Sequence, residues 1–151
     1  MGAESLEAAL VAAFPAVQID RAMLDEPTAR LSDYDDHAVL EQLEGKSWRE
    51  LPDSMLYEHS TLLIYAGDRL FHATVPAFLH YLLREHDVYN DLGHQVAGEL
   101  TREDAPAKLE RRMGCFTPAQ RAAVRDVLAH LANHRFWKQP MTRALETWKA
   151  G

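Results

Sequence analysis

Apolar residues recur every three or four positions along most of this chain, a spacing that places them on one face of an α-helix. The pattern is clearest after Thr117, where Pro118 suits a first helical position and Gln120 completes a Thr-x-x-Gln capping box. The apolar stripe that follows consists of Val124, Val127, Leu128 and Leu131. Together these signals predict a helix that begins at Pro118 and buries this stripe.

Weaker forms of the pattern predict the other elements. We expect helices over residues 4–14, from Ser32 to Gly45, from Asp68 through Phe71, from Val75 to Leu82, from Leu92 to Leu100, from Pro106 to Met113 and from Pro140 onward. Ser47 and Glu50 have capping-box spacing on a short turn that ends at Pro52. Pro76 either lies in the first turn of a helix or kinks two helical pieces.

The run Leu62-Leu63-Ile64-Tyr65 is apolar enough for a strand, but no second strand-like run is present to pair with it. A buried helical segment is therefore the better interpretation. With no β alternation, internal repeat or low-complexity linker, the sequence predicts one all-α domain over residues 1–151, a bundle of about seven short helices.

Composition excludes several classes of protein. The chain is 47% apolar and 26% charged, which suits a protein with a buried core and not a disordered chain. No apolar run approaches the roughly 20 residues that a membrane span needs. Glu4 and Glu7 lie where a secretory signal would carry positive charge, so we expect a cytoplasmic protein.

Charge is unevenly distributed along the chain. The net charge is −7, and the first 60 residues hold 13 acidic and 4 basic side chains, whereas the last 36 hold 2 and 6. An acidic chain repels phosphate backbones, which disfavours direct binding to nucleic acid. The acidic front and basic tail either attract each other within the fold or face different partners.

The acidic side chains are densest in the helix predicted to begin at Ser32. Capping and the helix dipole account for Asp33 and Asp35 without any partner. They do not account for the whole surplus of negative charge. We therefore predict a surface for a basic partner, formed by Asp33, Asp35, Asp36, Glu41 and Glu44. The loop spacing and glycine of a calcium-binding EF-hand are missing.

Eight histidines make metal binding a hypothesis to weigh. His130 and His134 are four residues apart on a predicted helix, but no Cys or carboxylate follows at a ligand spacing. We interpret them as side chains at the flank of the apolar stripe, and predict no metal site. His72 lies near the apolar side of its segment, where a histidine hydrogen-bonded to backbone is the usual explanation.

His80 and Arg84 are one turn apart and lie opposite the apolar stripe on a helical wheel. We interpret them as a solvated polar face. The less favoured interpretation is an acid–base cluster that also includes Glu85, His86 and Asp87.

No catalytic residue is predicted. Cys115 is the single cysteine, so no internal disulfide forms, and we interpret it as a small buried hydrophobe. No nucleophile elbow and no phosphate-binding glycine loop is present, which argues against nucleotide cofactors. We interpret the three tryptophans, Trp48, Trp137 and Trp148, as core or near-core anchors; Trp137 lies in a predicted loop, so it is the one for which exposure at a contact surface is the alternative.

Four short motifs carry a resemblance to a known family. They are Trp48-x-x-Leu51, Val75-Pro76-Ala77-Phe78-Leu79, Phe116-Thr-Pro-Ala-Gln-Arg-Ala-Ala-Val124 and Ala144-Leu-Glu-Thr-Trp148. The stretch from Trp48 to Trp148 resembles the bacterial DUF6714 family, in which Leu is usual at the position of Val75. The resemblance implies a small helical protein and supplies no catalytic residue.

Two functional hypotheses follow. The first is a non-enzymatic, cytoplasmic protein-binding module, for example an immunity or antitoxin-like factor whose acidic face occludes a basic toxin such as a nuclease. The alternative is a small metal-binding protein or metal-assisted enzyme that uses several histidines. A homo-oligomeric structural subunit is a third option.

Overall fold

The computed structural model describes residues 2–27, 29, 38–84, 91–102 and 105–150, which form ten α-helices and no β-strand. The helices are α1 (Ala3–Ala13), α2 (Arg21–Leu24), α3 (Ala38–Leu43), α4 (Asp53–Glu58), α5 (Leu62–Tyr65), α6 (Asp68–Arg84), α7 (Leu92–Glu99), α8 (Pro106–Met113), α9 (Pro118–Leu131) and α10 (Lys138–Ala150). A 3-10 turn, Trp48–Glu50, lies between α3 and α4. The all-α prediction is confirmed, with somewhat more and shorter helices than predicted. None of the described helices is long and apolar enough to cross a membrane.

Helix α6 is the centre of the fold. It packs against α1, α2, α4, α5, α7, α8, α9 and the 3-10 turn, and 11 of its 17 residues are buried. It is one continuous helix with Pro76 in its interior, so the two predicted helical pieces are joined. Because proline has no N–H, the carbonyl of His72 receives no helical hydrogen bond from position 76. The buried hydroxyl of Thr74 donates to the Leu70 carbonyl at 2.7 Å.

Helix α9 packs against α1 and α10 and has the predicted capping box. The backbone N–H of Gln120 donates to the side-chain Oγ1 of Thr117 at 3.2 Å, and the backbone N–H of Thr117 donates to the side-chain Oε1 of Gln120 at 3.0 Å. The stripe predicted from Val124 to Leu131 is buried. The terminal helix begins at Lys138, two residues before the predicted Pro140.

Three short elements differ from or extend the predictions. Pro52 is the N-cap of α4, a helix that the sequence pattern does not predict, because six residues with two buried side chains show no helical period. The run Leu62–Tyr65 is helical, as predicted. For the helix predicted from Ser32, only the end is described, as α3, and Gly45 follows it with a positive φ of 83°.

The three tryptophans are all buried, and two of them use their indole N–H to join distant segments. Trp48 Nε1 donates to the Phe14 carbonyl and Trp148 Nε1 to the Leu100 carbonyl, each at 3.0 Å. The interpretation of the tryptophans as core anchors is confirmed, and the alternative of an exposed Trp137 is wrong, since only 1% of it is accessible. Its indole lies against Gly93 of α7 and stacks on the His134 ring at 4.0 Å. The exposed aromatic residue of this turn is Phe136.

Replacing Gly93 with alanine is expected to destabilise the protein. A Cβ at this position would lie 2.6 Å from Nε1 of Trp137, and the indole is buried and cannot move away without disturbing the core. We expect a loss of about 1–3 kcal/mol in the free energy of unfolding, measured by urea denaturation.

Gly98→Ala is the matched control, because Gly98 lies on the same helix and no other group comes within 4 Å of the place that an alanine methyl would occupy. Alanine is the better helix former, so this variant should be neutral or up to about 1 kcal/mol more stable. Equal effects of the two substitutions would contradict the close packing of Gly93 on Trp137.

Candidate functional site

The predicted partner surface is only partly described. Asp33, Asp35 and Asp36 lie outside the described residues. Glu41 and Glu44 lie on α3 and at its end, and both are exposed. We call these five acidic residues the acidic cluster.

The end of α3 is held beside the start of α2 by two backbone hydrogen bonds. The Ile19 amide donates to the Lys46 carbonyl and the Gly45 amide to the Ile19 carbonyl, each at 2.8 Å. Arg21 of α2 pairs with Glu44 at 3.0 Å, and both side chains are well exposed. An ion pair in that setting contributes little, so Glu44 remains accessible to a partner.

The ion pairs of the described residues bear on whether the acidic front and the basic tail attract each other within the fold or face different partners. Among the described residues, the pairs are Arg21–Glu44, His80–Glu7, Arg84–Asp53, Arg102–Glu110, Arg111–Asp68 and Arg112–Glu99. None joins an acid of the first 60 residues to a base of the last 36. Helices α1 and α9 are in direct contact, yet they make no ion pair in the described part of the chain. Within the described ranges, the acidic front and the basic tail therefore do not neutralise each other by direct ion pairing.

Gln120 does more than cap α9. Its Nε2 donates to the Ala13 carbonyl at 3.1 Å, which leaves Oε1 facing the Thr117 amide and Nε2 of His72 at 2.8 Å. An amide oxygen only accepts hydrogen bonds, so His72 must carry its proton on Nε2. In the neutral ring Nδ1 is then an acceptor, and it makes no hydrogen bond with any described residue.

His72 lines a pocket between α6, the end of α1 and the start of α9. The pocket has a volume of about 260 Å³ and is mostly apolar. One wall is a stripe of α6 formed by Arg69, His72, Ala73 and Pro76. The other residues that line it are Phe14, Pro15, Val17, Met23, Trp48, Cys115 and Gln120. We call it the His72 pocket. The predicted backbone partner of His72 is replaced by the Gln120 side chain, and the ring is only partly buried.

Cys115 is exposed, so the prediction that it is a buried hydrophobe is wrong. It follows the end of α8 in the turn that leads to α9, where the chain has no neighbour to cover it completely. Partial burial of the thiol, together with the carboxylates of Asp68 and Glu26, raises the pKa of Cys115. The thiol therefore stays protonated at neutral pH, which argues against a nucleophilic role.

His80 and Arg84 do not form the fully solvated face that the helical wheel predicts. Arg84 is exposed, but His80 is partly buried with its ring 5.8 Å from that of Trp48. Arg84 Nε donates to Nδ1 of His80 at 3.0 Å, and its guanidinium pairs with Asp53 at 2.8 Å. Glu7 lies 3.6 Å from Nε2 of His80. Glu85, His86 and Asp87, the other members of the less favoured cluster, lie outside the described residues.

This histidine–arginine pair borders an open cleft of about 570 Å³ between α1, α4, α6 and the 3-10 turn. Burial of the imidazole and the positive charge of Arg84 lower the pKa of His80, while Glu7 and Asp53 act in the opposite direction. The Arg84 guanidinium holds the pKa of Asp53 below its usual value. At neutral pH the cleft thus holds a neutral imidazole beside a charged Arg84–Asp53 pair.

The described part of the chain contains no candidate metal site. No three His, Cys, Asp or Glu side chains there lie close enough together to hold an ion. His130 and His134 are both partly buried, and the stacking of His134 on Trp137 explains its position without a metal.

Sequence reasoning missed Arg69, Asp53 and the second role of Gln120. The capping box identifies Gln120 as a helix-starting residue, but its contacts with Ala13 and His72 join residues 107 and 48 positions apart. For Arg69 the sequence does contain an indication, since this residue lies three positions before His72 and therefore on the same helix face. Asp53 has none, because its helix was not predicted.

No protein-family profile, curated protein or solved structure matches this chain. The resemblance to the DUF6714 family therefore stays a prediction, and the function has to be argued from the residues themselves.

The lowered pKa of His80 predicts a specific pH dependence of stability. In the unfolded chain the imidazole takes up its proton near pH 6.5, about the usual value, whereas the folded chain does so only at lower pH. The unfolded state therefore binds more protons in this interval, and this contribution to stability is lost as the pH falls below about 6.5.

Replacing His80 with glutamine should reduce the loss of stability between about pH 7.5 and about pH 5.5, measured as the urea midpoint, because the titrating group is gone. His94→Gln, at an exposed position on α7, is the control and should follow the parent protein. If the urea midpoint of His80→Gln falls with pH as much as that of the parent protein, titration of His80 does not contribute to the loss of stability.

Proposed function

We propose that this protein is a non-enzymatic binding module that presents the acidic cluster to a basic partner protein. The observation that supports this most is the absence, among the described residues, of any ion pair between the acidic front of the chain and its basic tail. Negative charge that no base of the tail pairs with, in the part of the chain that the structure describes, remains available to attract a partner. In this proposal the protein acts in the cytoplasm.

Charge complementarity is the interaction that such a partner would use. Opposite potentials steer two proteins together and suppress encounters with acidic competitors. Glu41 and Glu44 are exposed on a short helix whose end is fixed to α2, so their side chains are presented from an ordered backbone. A basic toxin, for example a nuclease, has the matching chemistry, and an immunity or antitoxin-like factor is the concrete form of this proposal.

The exposed apolar side chains favour this proposal over an obligate homo-oligomer. In the described part of the chain the large ones are Val11, Val17, Tyr57 and Phe136. They belong to four different segments, whereas obligate interfaces are more apolar and extensive. No observation favours the metal-binding alternative over a protein partner.

Neutralising the acidic cluster should abolish partner capture. The variant carries Asp33→Asn, Asp35→Asn, Asp36→Asn, Glu41→Gln and Glu44→Gln, which removes five negative charges with little change in side-chain shape. In a pull-down from the native host, the parent protein should enrich a basic protein whose recovery falls as salt is raised, because screening weakens an interaction between exposed charges. The neutralised variant should not enrich it.

The matched control removes the same charge elsewhere. It carries Glu4→Gln, Glu58→Gln, Asp91→Asn, Asp126→Asn and Glu146→Gln, all at exposed positions. This control should still capture the partner, which would show that position and not net charge matters. The proposal fails if no basic protein is enriched, or if both variants capture it equally.

A further inference from the structure

We propose that the His72 pocket binds a small hydroxy acid with an apolar body, such as an aryl-substituted 2-hydroxy acid. The pocket shares no residue with the acidic cluster, so this inference does not depend on the proposed protein partner.

The size and walls of the pocket set the apolar part of the ligand. At about 260 Å³ it lies just below the usual range for drug-sized ligands, which begins near 300 Å³, and so fits a smaller molecule. Phe14, Trp48 and Pro76, which come from three different segments, offer flat or rigid apolar surface in its lining. An aryl ring or a branched aliphatic group is the body that this lining would take up.

His72 sets the first polar requirement. Gln120 is fixed by two backbone groups, the Ala13 carbonyl and the Thr117 amide, and it fixes the His72 proton on Nε2. The ring also packs in a cluster with Phe14 and Phe116, with centroid distances of 5.8 and 4.8 Å. A fixed imidazole with an unused Nδ1 acceptor, beside an apolar pocket, is suited to accept a hydrogen bond from a ligand hydroxyl.

Arg69 sets the second polar requirement. Its backbone amide donates to the Glu26 carboxylate at 2.6 Å, but its guanidinium makes no ion pair with any described residue. It lies three residues before His72 on the same face of α6, and side chains at this spacing are neighbours. The ligand therefore needs an acid group close to its hydroxyl, which is the arrangement in a 2-hydroxy acid. A carboxylate pairs with a guanidinium in a two-pronged geometry.

Three probes of nearly equal size separate these requirements. They are 3-phenyllactate, 3-phenylpropionate, which lacks the hydroxyl, and 3-phenyllactamide, which lacks the charge. Cys115 is the only cysteine and lines the pocket, so its rate of labelling by a maleimide reports occupancy in the unmodified protein.

We expect 3-phenyllactate to slow the labelling of Cys115 at the lowest concentration. Losing the hydroxyl should weaken binding about 2- to 10-fold, the effect of one neutral hydrogen bond. Losing the charge should weaken it about 2- to 5-fold, because Arg69 is exposed to solvent.

Two variants assign each effect to its residue. His72→Phe keeps an aromatic ring packed on Phe14 and Phe116, and should erase the difference between 3-phenyllactate and 3-phenylpropionate while leaving 3-phenylpropionate binding unchanged. Arg69→Met keeps the aliphatic stem, and should erase the difference between the acid and the amide. Retained binding of 3-phenylpropionate shows that His72→Phe is folded, and retained binding of 3-phenyllactamide shows the same for Arg69→Met.

The inference is overturned if no probe protects Cys115, or if all three protect it equally in the parent protein. It is also overturned if the preferences persist in both variants, since the polar contacts would then lie elsewhere. The variant with the neutralised acidic cluster should bind 3-phenyllactate like the parent, so failure of the partner proposal and failure of this one are distinguishable.

Discussion

The fold depends on the burial of helix α6. A helix that is apolar on one stripe needs one covering layer, but α6 buries 11 of its 17 residues and has to be covered on several sides. Short helices from both halves of the chain supply that cover, among them α1, α4, α8 and α9. The stripe from Arg69 to Pro76 includes three residues of α6 that are not fully buried, Arg69, His72 and Ala73, and the His72 pocket lies there.

Several polar groups inside this arrangement are bound by contacts that span long stretches of sequence. Arg112 is the extreme case, since it is 1% exposed. Its guanidinium donates to the Ala66 carbonyl at 2.6 Å, pairs with Glu99 and lies over the ring of Phe71. Burial lowers the pKa of Arg112, yet an arginine remains charged at any ordinary pH. A buried charge held by these partners fixes how α8 docks on α5 and α6, because few other arrangements would pair it.

The two candidate surfaces use different physical properties of the protein. In the partner proposal, the acidic cluster would act through negative charge, so its interaction would be long-ranged and sensitive to salt. In the ligand proposal, the His72 pocket would act through apolar burial and two directional polar groups, so its interaction would be short-ranged and selective for shape. Met23 of α2 lines the pocket, and α2 also carries Arg21, the partner of Glu44. Helix α2 thus touches both surfaces.

The sequence by itself determined the class of fold and the strongest helix boundaries, because helical periodicity and the Thr117–Gln120 capping box are local properties of neighbouring residues. It also determined the uneven charge. Only the tertiary structure decided that Trp137 is buried and Cys115 exposed, since these depend on Gly93 and on what covers the turn after α8. The pairing of His72 with Gln120, 48 residues away, has no local signal at all. Burial and tautomer are set by contacts between segments, and a periodic pattern records only which face of a segment is apolar.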